Sequence, residues 1–212
     1  MHLDRYLAAW QASMGSWLYG VLFAVIFCET GLVVTPFLPG DSLLFAAGAL
    51  AALDGSPLTP TVLIPLLVVA GVLGDAVNYS AGYKIGPKVF SRESSRLLNK
   101  KHLVKAQQFY EKYGGKTIIL ARFVPIVRTF APFVAGIGKM KYRRFFMFNV
   151  VGAIVWVSLF TLLGYYFGQL PAVKKNFQLV ILAILVLSVM PIVVEVWRER
   201  RRAKREAAAP AE

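Results

Sequence analysis

Apolar residues run along this chain in long blocks, and polar residues are confined to short, mostly basic stretches between them. A helix needs about 20 predominantly apolar residues to cross the hydrocarbon of a bilayer. Three blocks meet that length, 61–83, 145–168 and 177–197, and a fourth, 17–31, is shorter but can begin in the interface. Two more apolar stretches, 32–53 and 117–138, do not read as plain spans, because the first contains TPFLPGD and the second ARFVPIVRTFAPFVAG. Proline lacks an amide hydrogen and clashes with the preceding helical turn. Pro36, Pro39 and Gly40 in the first stretch, and Pro125, Pro132 and Gly136 in the second, are therefore expected to break helices. Broken backbone inside a bilayer is tolerated only where protein or a water-filled cavity satisfies its polar groups. Both stretches are expected to be re-entrant hairpins packed among the full spans.

Basic residues give those hairpins a direction. Of the 24 Lys and Arg, 19 lie in three blocks, 84–116, 139–144 and 198–205, a distribution that marks cytoplasmic loops. The stretch 117–138 has such a block on either side, so it dips in from the cytoplasm. The block 145–168 then exits, 177–197 returns, and the tail RERRRAKRE lies inside. Counting backwards, 61–83 arrives from outside after LDGSPLTP, a loop without a basic residue, and 32–53 dips from outside. Two oppositely entering hairpins, each followed by a full span, make an inverted repeat, the device with which many secondary transporters build a site near the midplane. A short echo agrees, since GYKIG (82–86) ends the span after the first hairpin and GYYFG (164–168) ends the span after the second.

The expected architecture is all-α and integral to the membrane, with about four transmembrane helices and two re-entrant hairpins in one domain over 1–206. The first repeat covers 16–83 and the second 117–168. A cytoplasmic amphipathic helical loop (84–116) joins them, a last transmembrane helix (175–197) follows, 198–212 is a basic tail, and both termini are cytoplasmic. In the loop, Leu97, Leu98, Val104, Phe109 and Tyr113 suit a helix lying on lipid, with Lys100, Lys101, Lys105 and Lys112 toward anionic headgroups. A solvated loop fits the same residues.

Composition narrows the classes. With 57% hydrophobic residues and a mean hydropathy of +0.59, the chain exceeds what a soluble domain of 212 residues carries. A net charge of +13 would suit a nucleic-acid binder, but its confinement to loop blocks argues against one. Cys28 stands alone, so no disulfide framework forms. His2 and His102 lie outside the spans, no His/Cys cluster offers a metal site, and no serine or cysteine has an evident base partner. Neither an enzyme nor a cofactor is expected. The first 16 residues lack the basic start, apolar run and cleavage site of a secretory signal, and are expected to be mature sequence with Trp10 and Trp17 at headgroup level.

Charges within apolar segments cost a few kcal/mol each on insertion scales, so they mark function or pairing. Five stand out: Glu29, Asp41, Asp75, Arg122 and Arg128. Arginine stays ionised, and its planar fork matches the oxygens of a phosphate or a carboxylate. Arg122 and Arg128 could therefore hold an anion, or neutralise Glu29 and Asp41 as structural ion pairs. Glu29 and Asp41 are candidates for proton exchange, because burial and a neighbouring arginine act in opposite senses on a carboxyl. For Asp41, helix capping in PGDSLL is an equal alternative. Asp75 and Asn78, three apart on one helical face near Gly71, Gly74 and Gly82, read first as polar groups bonding across a close helix contact. Asn149, Gly152 and Trp156 read the same way.

The segments FCETGLVVTPFLPGDSLLFAAGALA, GDAVNYSAGYKIG and YEKYGGKTIILARFVPIVRTFAPFVAGIGKMKYRRFFMFNVVGAIVWV closely resemble the bacterial DedA family, the prokaryotic branch of the VTT or SNARE-associated-Golgi-like proteins. The likeness runs from about Leu18 to Gly168 and rests on E-x11-D ending in PGD, followed by R-x5-R and AG. It implies a transporter or scramblase-like protein of the bacterial inner membrane. It also implies undecaprenyl phosphate or a phospholipid as substrate and dependence on the proton motive force. The family's essential acids fall on Glu29 and Asp41 and its essential arginines on Arg122 and Arg128. Expected partners are an anionic lipid phosphate, membrane lipids and protons, with a homo-oligomer left open. Two alternatives stand beside this: a proton-coupled carrier of small ions or solutes, and a non-transporting envelope or division scaffold.

Overall fold

The computed structural model describes residues 2–32, 40–90, 114–171 and 173. Their helices are α1 (His2–Gly31), α2 (Gly40–Ala51), α3 (Pro60–Phe90), α4 (Lys116–Ala121), α5 (Pro125–Ile137) and α6 (Tyr142–Gly168). Among the described residues, two segments are long and apolar enough to cross a bilayer, Pro60–Lys84 of α3 and all of α6. Their outer faces carry exposed apolar residues at three- and four-residue spacing: Val62, Val69, Leu73 and Val77 on α3, and Met147, Val151, Ile154, Val155, Leu159 and Leu162 on α6. A surface that apolar suits lipid. The inner faces carry the small and polar residues, and Asn149 Nδ2 donates to the Val72 carbonyl at 3.1 Å across the α3–α6 contact.

Each long helix is preceded by a helical fold-back. At 1.5 Å per residue, α2 with its 12 residues and α5 with its 13 are each too short to cross hydrocarbon about 30 Å thick. The first fold-back is closed at both ends. At its tip, the Gly40 amide donates to Glu29 Oε1 at 3.0 Å, and at its base the Thr59 amide donates to the Tyr19 hydroxyl at 2.7 Å. The apolar part of α1, Trp17–Gly31, is thus one limb of a hairpin whose other limb is α2. The second fold-back is α4, a turn at 122–124, and α5. Its base closes likewise, because Gly115 at the start of α4 lies against the Phe148 ring near the start of α6.

The fold-backs pack crosswise, α2 on α6 and α5 on α3. A Cβ on Gly48 would overlap the Thr161 carbonyl and stand 3.0 Å from the Tyr165 amide nitrogen. A Cβ on Gly136 would overlap the Tyr79 carbonyl and stand 2.7 Å from the Tyr83 amide nitrogen. Those partners lie three residues before and one after Gly164 in the first crossing, and three before and one after Gly82 in the second. The two glycines that begin the GYxxG echo therefore hold matching places, each where a long helix touches the short helix of the other half.

Several expectations need correction. The segment 17–31 is tied to the first fold-back near both of its ends, by the Tyr19–Thr59 and Glu29–Gly40 bonds, so the broken unit takes in more than 32–53. The second break falls at 122–124, where Val124 is extended and Pro125 opens α5, as expected from the bias before proline and its fitness for a first helical turn. Pro132, however, lies inside α5 and does not end it. The missing amide removes one bond, while Ala131 and Ala135 are buried and hold the helix against its neighbours. Gly136 is not a breaker either; it is a contact glycine. Helix α3 continues past Tyr83 to Phe90, without a break at the start of the stretch expected to be an amphipathic helical loop. Pro36, Pro39, residues 91–113, the span 177–197 and the tail 198–212 lie outside the described residues.

Candidate functional site

The two tips meet between the long helices. Glu29 stands in the last turn of α1, Asp41 in the first turn of α2, Arg122 at the carboxyl end of α4 and Arg128 in the first turn of α5. Between them lie Asp75 and Asn78 on α3 and Asn149 and Trp156 on α6. Arg122, Arg128, Asp75, Asn78, Asn149, Glu29 and Trp156 are all buried, while the Asp41 side chain keeps 32% exposure.

Arg128 divides its fork between two acids. Nη2 pairs with Glu29 Oε1, and Nη1 donates to Asp41 Oδ1 at 2.7 Å. Glu29 Oε1 also accepts the Gly40 amide, so Glu29 is the carboxylate that bonds the amino end of α2, where negative charge is favoured. The two bonds of Asp41 instead come from Arg128 and from Trp156 Nε1, the latter at 2.7 Å. This departs from a capping role for Asp41. Gly40 matters here for space, because a Cβ there would overlap the Glu29 carboxylate.

Arg122 has a different set of partners. Its Nη2 bonds to Asp75 Oδ2 at 2.5 Å and to Asn149 Oδ1 at 2.6 Å. The side chain passes between α3 and α6 through room left by Gly71 and Gly152. Both guanidiniums lie near the Trp156 ring, with Cζ 5.7 Å from its centroid for Arg122 and 5.4 Å for Arg128. Asn78 Nδ2 donates to the Thr30 carbonyl at 3.1 Å and to the Thr129 carbonyl at 2.8 Å, tying the two tips to α3.

The structure thus brings Glu29, Asp41 and Arg128 into one cluster and places Arg122 in a neighbouring one with Asp75 and Asn149. Asp75 and Asn149, read from the sequence as packing groups, directly hold a site arginine. No local signal identifies that pairing, since Asp75 and Arg122 are 47 residues apart. Trp156, read from the sequence with Asn149 and Gly152 as part of a close helix contact, bonds Asp41 and lies near both guanidiniums. Glu29, Asp75, Arg122, Arg128 and Trp156, with Thr30 and Thr129, line a small cavity with room for about one water molecule. Two carboxyls and two guanidiniums line it, and Asp41, paired with Arg128, brings the carboxyls of the whole cluster to three. When all are ionised, the cluster carries one excess negative charge, which a single proton on a carboxyl would balance. Glu29 Oε2 and Arg122 Nε are buried without a hydrogen-bond partner among the described residues, so the network has unused capacity on both an acceptor and a donor.

Residues 38–166 match the VTT domain family. Protein DedA of Escherichia coli K12 is 55% identical over 207 residues, 98% of this chain and 94% of that protein. An uncharacterized membrane protein of Mycobacterium tuberculosis H37Rv is 47% identical, covering 87% of this chain and 82% of its own. The inner membrane protein YghB of Escherichia coli K12 is 35% identical, covering 81% and 77%. No solved structure matches the chain.

Proposed function

The chain is a membrane protein of the VTT-domain family, a relative of DedA, and from that premise we propose that it carries an anionic lipid phosphate across the bacterial inner membrane with the help of protons. The observation that carries this reading is the fork of Arg128, shared between Glu29 and Asp41 inside a bundle whose outer faces are apolar. A guanidinium held by two carboxylates is a phosphate site occupied by internal competitors. Protonating the acids weakens their hold and leaves the fork to an incoming headgroup. Losing those protons on the other side returns the acids and expels it. Undecaprenyl phosphate is the leading substrate and a phospholipid the next.

In this reading α3, α6 and the segment 177–197 cross the membrane, and the two fold-backs enter it from opposite faces. Positive blocks put the base of the second fold-back in the cytoplasm. The base of the first, at Tyr19 and Thr59, lies by the loop without basic residues, on the far side. The end of α1's apolar stretch at Trp17 then faces that far side too, which departs from a cytoplasmic amino terminus. Rocking of the crossed helix pairs about the tips alternates exposure of the site.

A second reading, a proton-coupled carrier of small ions, is favoured by the size of the cavity, which as it stands admits little more than water. Reconstitution separates the two. Purified protein in vesicles holding labelled undecaprenyl phosphate in one leaflet should move it to the other, faster with a proton gradient and not at all with Arg128→Ala. Proton flux without lipid movement would overturn the lipid reading in favour of the carrier.

A further inference from the structure

Trp156 sits midway along α6 with 1% of its surface exposed, and three charged side chains converge on it. Its N–H donates to Asp41 Oδ1 at 2.7 Å, the oxygen that also accepts Arg128 Nη1 at 2.7 Å. Its ring has the guanidiniums of Arg122 and Arg128 at 5.7 and 5.4 Å, within the range of cation–π attraction. A buried indole needs some acceptor for its N–H. The acceptor here is the carboxyl group that competes for Arg128, and that choice has a chemical consequence.

A carboxylate held by a cation alone is released when it gains a proton or when another anion takes the cation. An indole N–H is a neutral donor, and the carbonyl oxygen of an uncharged acid still accepts from it. Both of Asp41's bonds end on Oδ1, so a proton can sit on Oδ2 without disturbing the indole bond.

We propose that Trp156 is the positioning residue of the anion site: its N–H keeps the Asp41 carboxyl beside Arg128 whether or not that carboxyl is charged, and its ring gathers both guanidiniums around one space. A phosphate monoester entering the site takes Arg128 while Asp41 remains at hand to reclaim it. Only the identity of the anion rests on the lipid-phosphate reading; the hold on Asp41 does not.

The test uses the full chain in vesicles with Trp10, Trp17 and Trp197 replaced by Phe, leaving Trp156 as the only indole. Other charged groups around Asp41 are Glu29 on α1, Asp75 on α3, and Arg122 and Arg128 from the second fold-back. Without added lipid phosphate, Trp156 emission should show one step with pH that Asp41→Asn abolishes and that Glu29→Gln and Asp75→Asn retain. A flat profile, or a step that survives Asp41→Asn, overturns the proposal. In the second arm farnesyl phosphate, a short polyprenyl monophosphate, is the probe. Trp156→Phe keeps a ring but loses the N–H, and should weaken probe binding roughly fivefold, the weight of about one hydrogen bond, and move its pH midpoint. Trp156→Leu should weaken it further. A Trp156→Phe protein with the parent's affinity and pH profile overturns the positioning role. A pH step at Trp156 in protein that binds no farnesyl phosphate supports the hold on Asp41 and overturns the lipid-phosphate reading instead.

Discussion

Gly48 on α2 and Gly136 on α5 make the same contact in two places, each against the carbonyl three residues before, and the amide one residue after, the first glycine of a GYxxG sequence. Each contact joins the short helix of one half to the long helix of the other. The crossed pairs α2–α6 and α5–α3 are therefore tightly keyed bodies, and the charged cluster lies between them. A site placed there feels any movement of one pair against the other.

Alanine at either glycine should loosen its crossing. The added methyl overlaps backbone rather than a flexible side-chain end, so the helices must separate, and overpacking of this kind costs about 1–3 kcal/mol. Thermal unfolding in detergent should show a lowered Tm for Gly48→Ala and for Gly136→Ala. Gly20→Ala, with nothing within 4 Å of the new methyl, should leave Tm unchanged. Equal Tm values for all three would refute the keyed crossings.

The sequence announced the broken segments because proline and charge are conspicuous in apolar surroundings. Pro125 and the extended Val124 fall where the backbone rules put them. It could not announce which glycines break and which pack, since Gly136 and Pro132 look alike until α3 is brought against α5. Nor could it divide the arginines. Arg122 and Arg128 are six residues apart, but the turn between α4 and α5 sends one toward Asp75 and Asn149 and the other toward Glu29 and Asp41. The length of segment 17–31 is visible in the sequence, whereas the bond that ties Tyr19 to Thr59 joins residues 40 apart and is not.

The two arginines should fail in different ways. Arg122→Ala strands Asp75 as a lone buried charge, a loss of about 3 kcal/mol or more, and should lower Tm. Adding Asp75→Ala should recover much of that stability, because both buried charges are then gone. Arg128→Ala leaves both Glu29 and Asp41 unpaired, and neither Glu29→Gln nor Asp41→Asn alone should restore its Tm. Recovery of Arg128→Ala by Asp75→Ala, in place of Arg122→Ala, would show the pairing to be wrong.

Transport should carry the signature of the acids. In the proposed cycle the protonated carboxyl frees Arg128, so lipid-phosphate movement rises as the pH on the loading side falls. Asp41→Asn mimics the uncharged acid permanently, so binding of a polyprenyl phosphate should become less dependent on pH. Net movement should drop at least about tenfold, since Glu29 alone is then left to reclaim Arg128 and drive release. The measurement is vesicle transport at stepped pH, and an Asp41→Asn protein with the parent's pH profile would remove Asp41 from the cycle.

Gly71 and Gly152 flank the same arginine with unequal clearance, which separates a test of geometry from a test of helix packing. A methyl on Gly71 would lie 3.5 Å from Arg122 Nη1 and 3.9 Å from the Trp156 ring, ordinary contact distances. A methyl on Gly152 would lie 3.1 Å from Arg122 Cδ and 3.2 Å from its Nε, tight enough that the side chain must give by a few tenths of an ångström. That movement acts on bonds of 2.5 and 2.6 Å to Asp75 and Asn149. Gly152→Ala should therefore reduce transport severalfold, with a Tm change of about 1 kcal/mol or less in equivalent stability, because a long side chain yields more easily than backbone. Gly71→Ala should transport like the parent. Vesicle assays of the two proteins side by side decide it, and the opposite order would mean that Arg122 does not run between α3 and α6 as described.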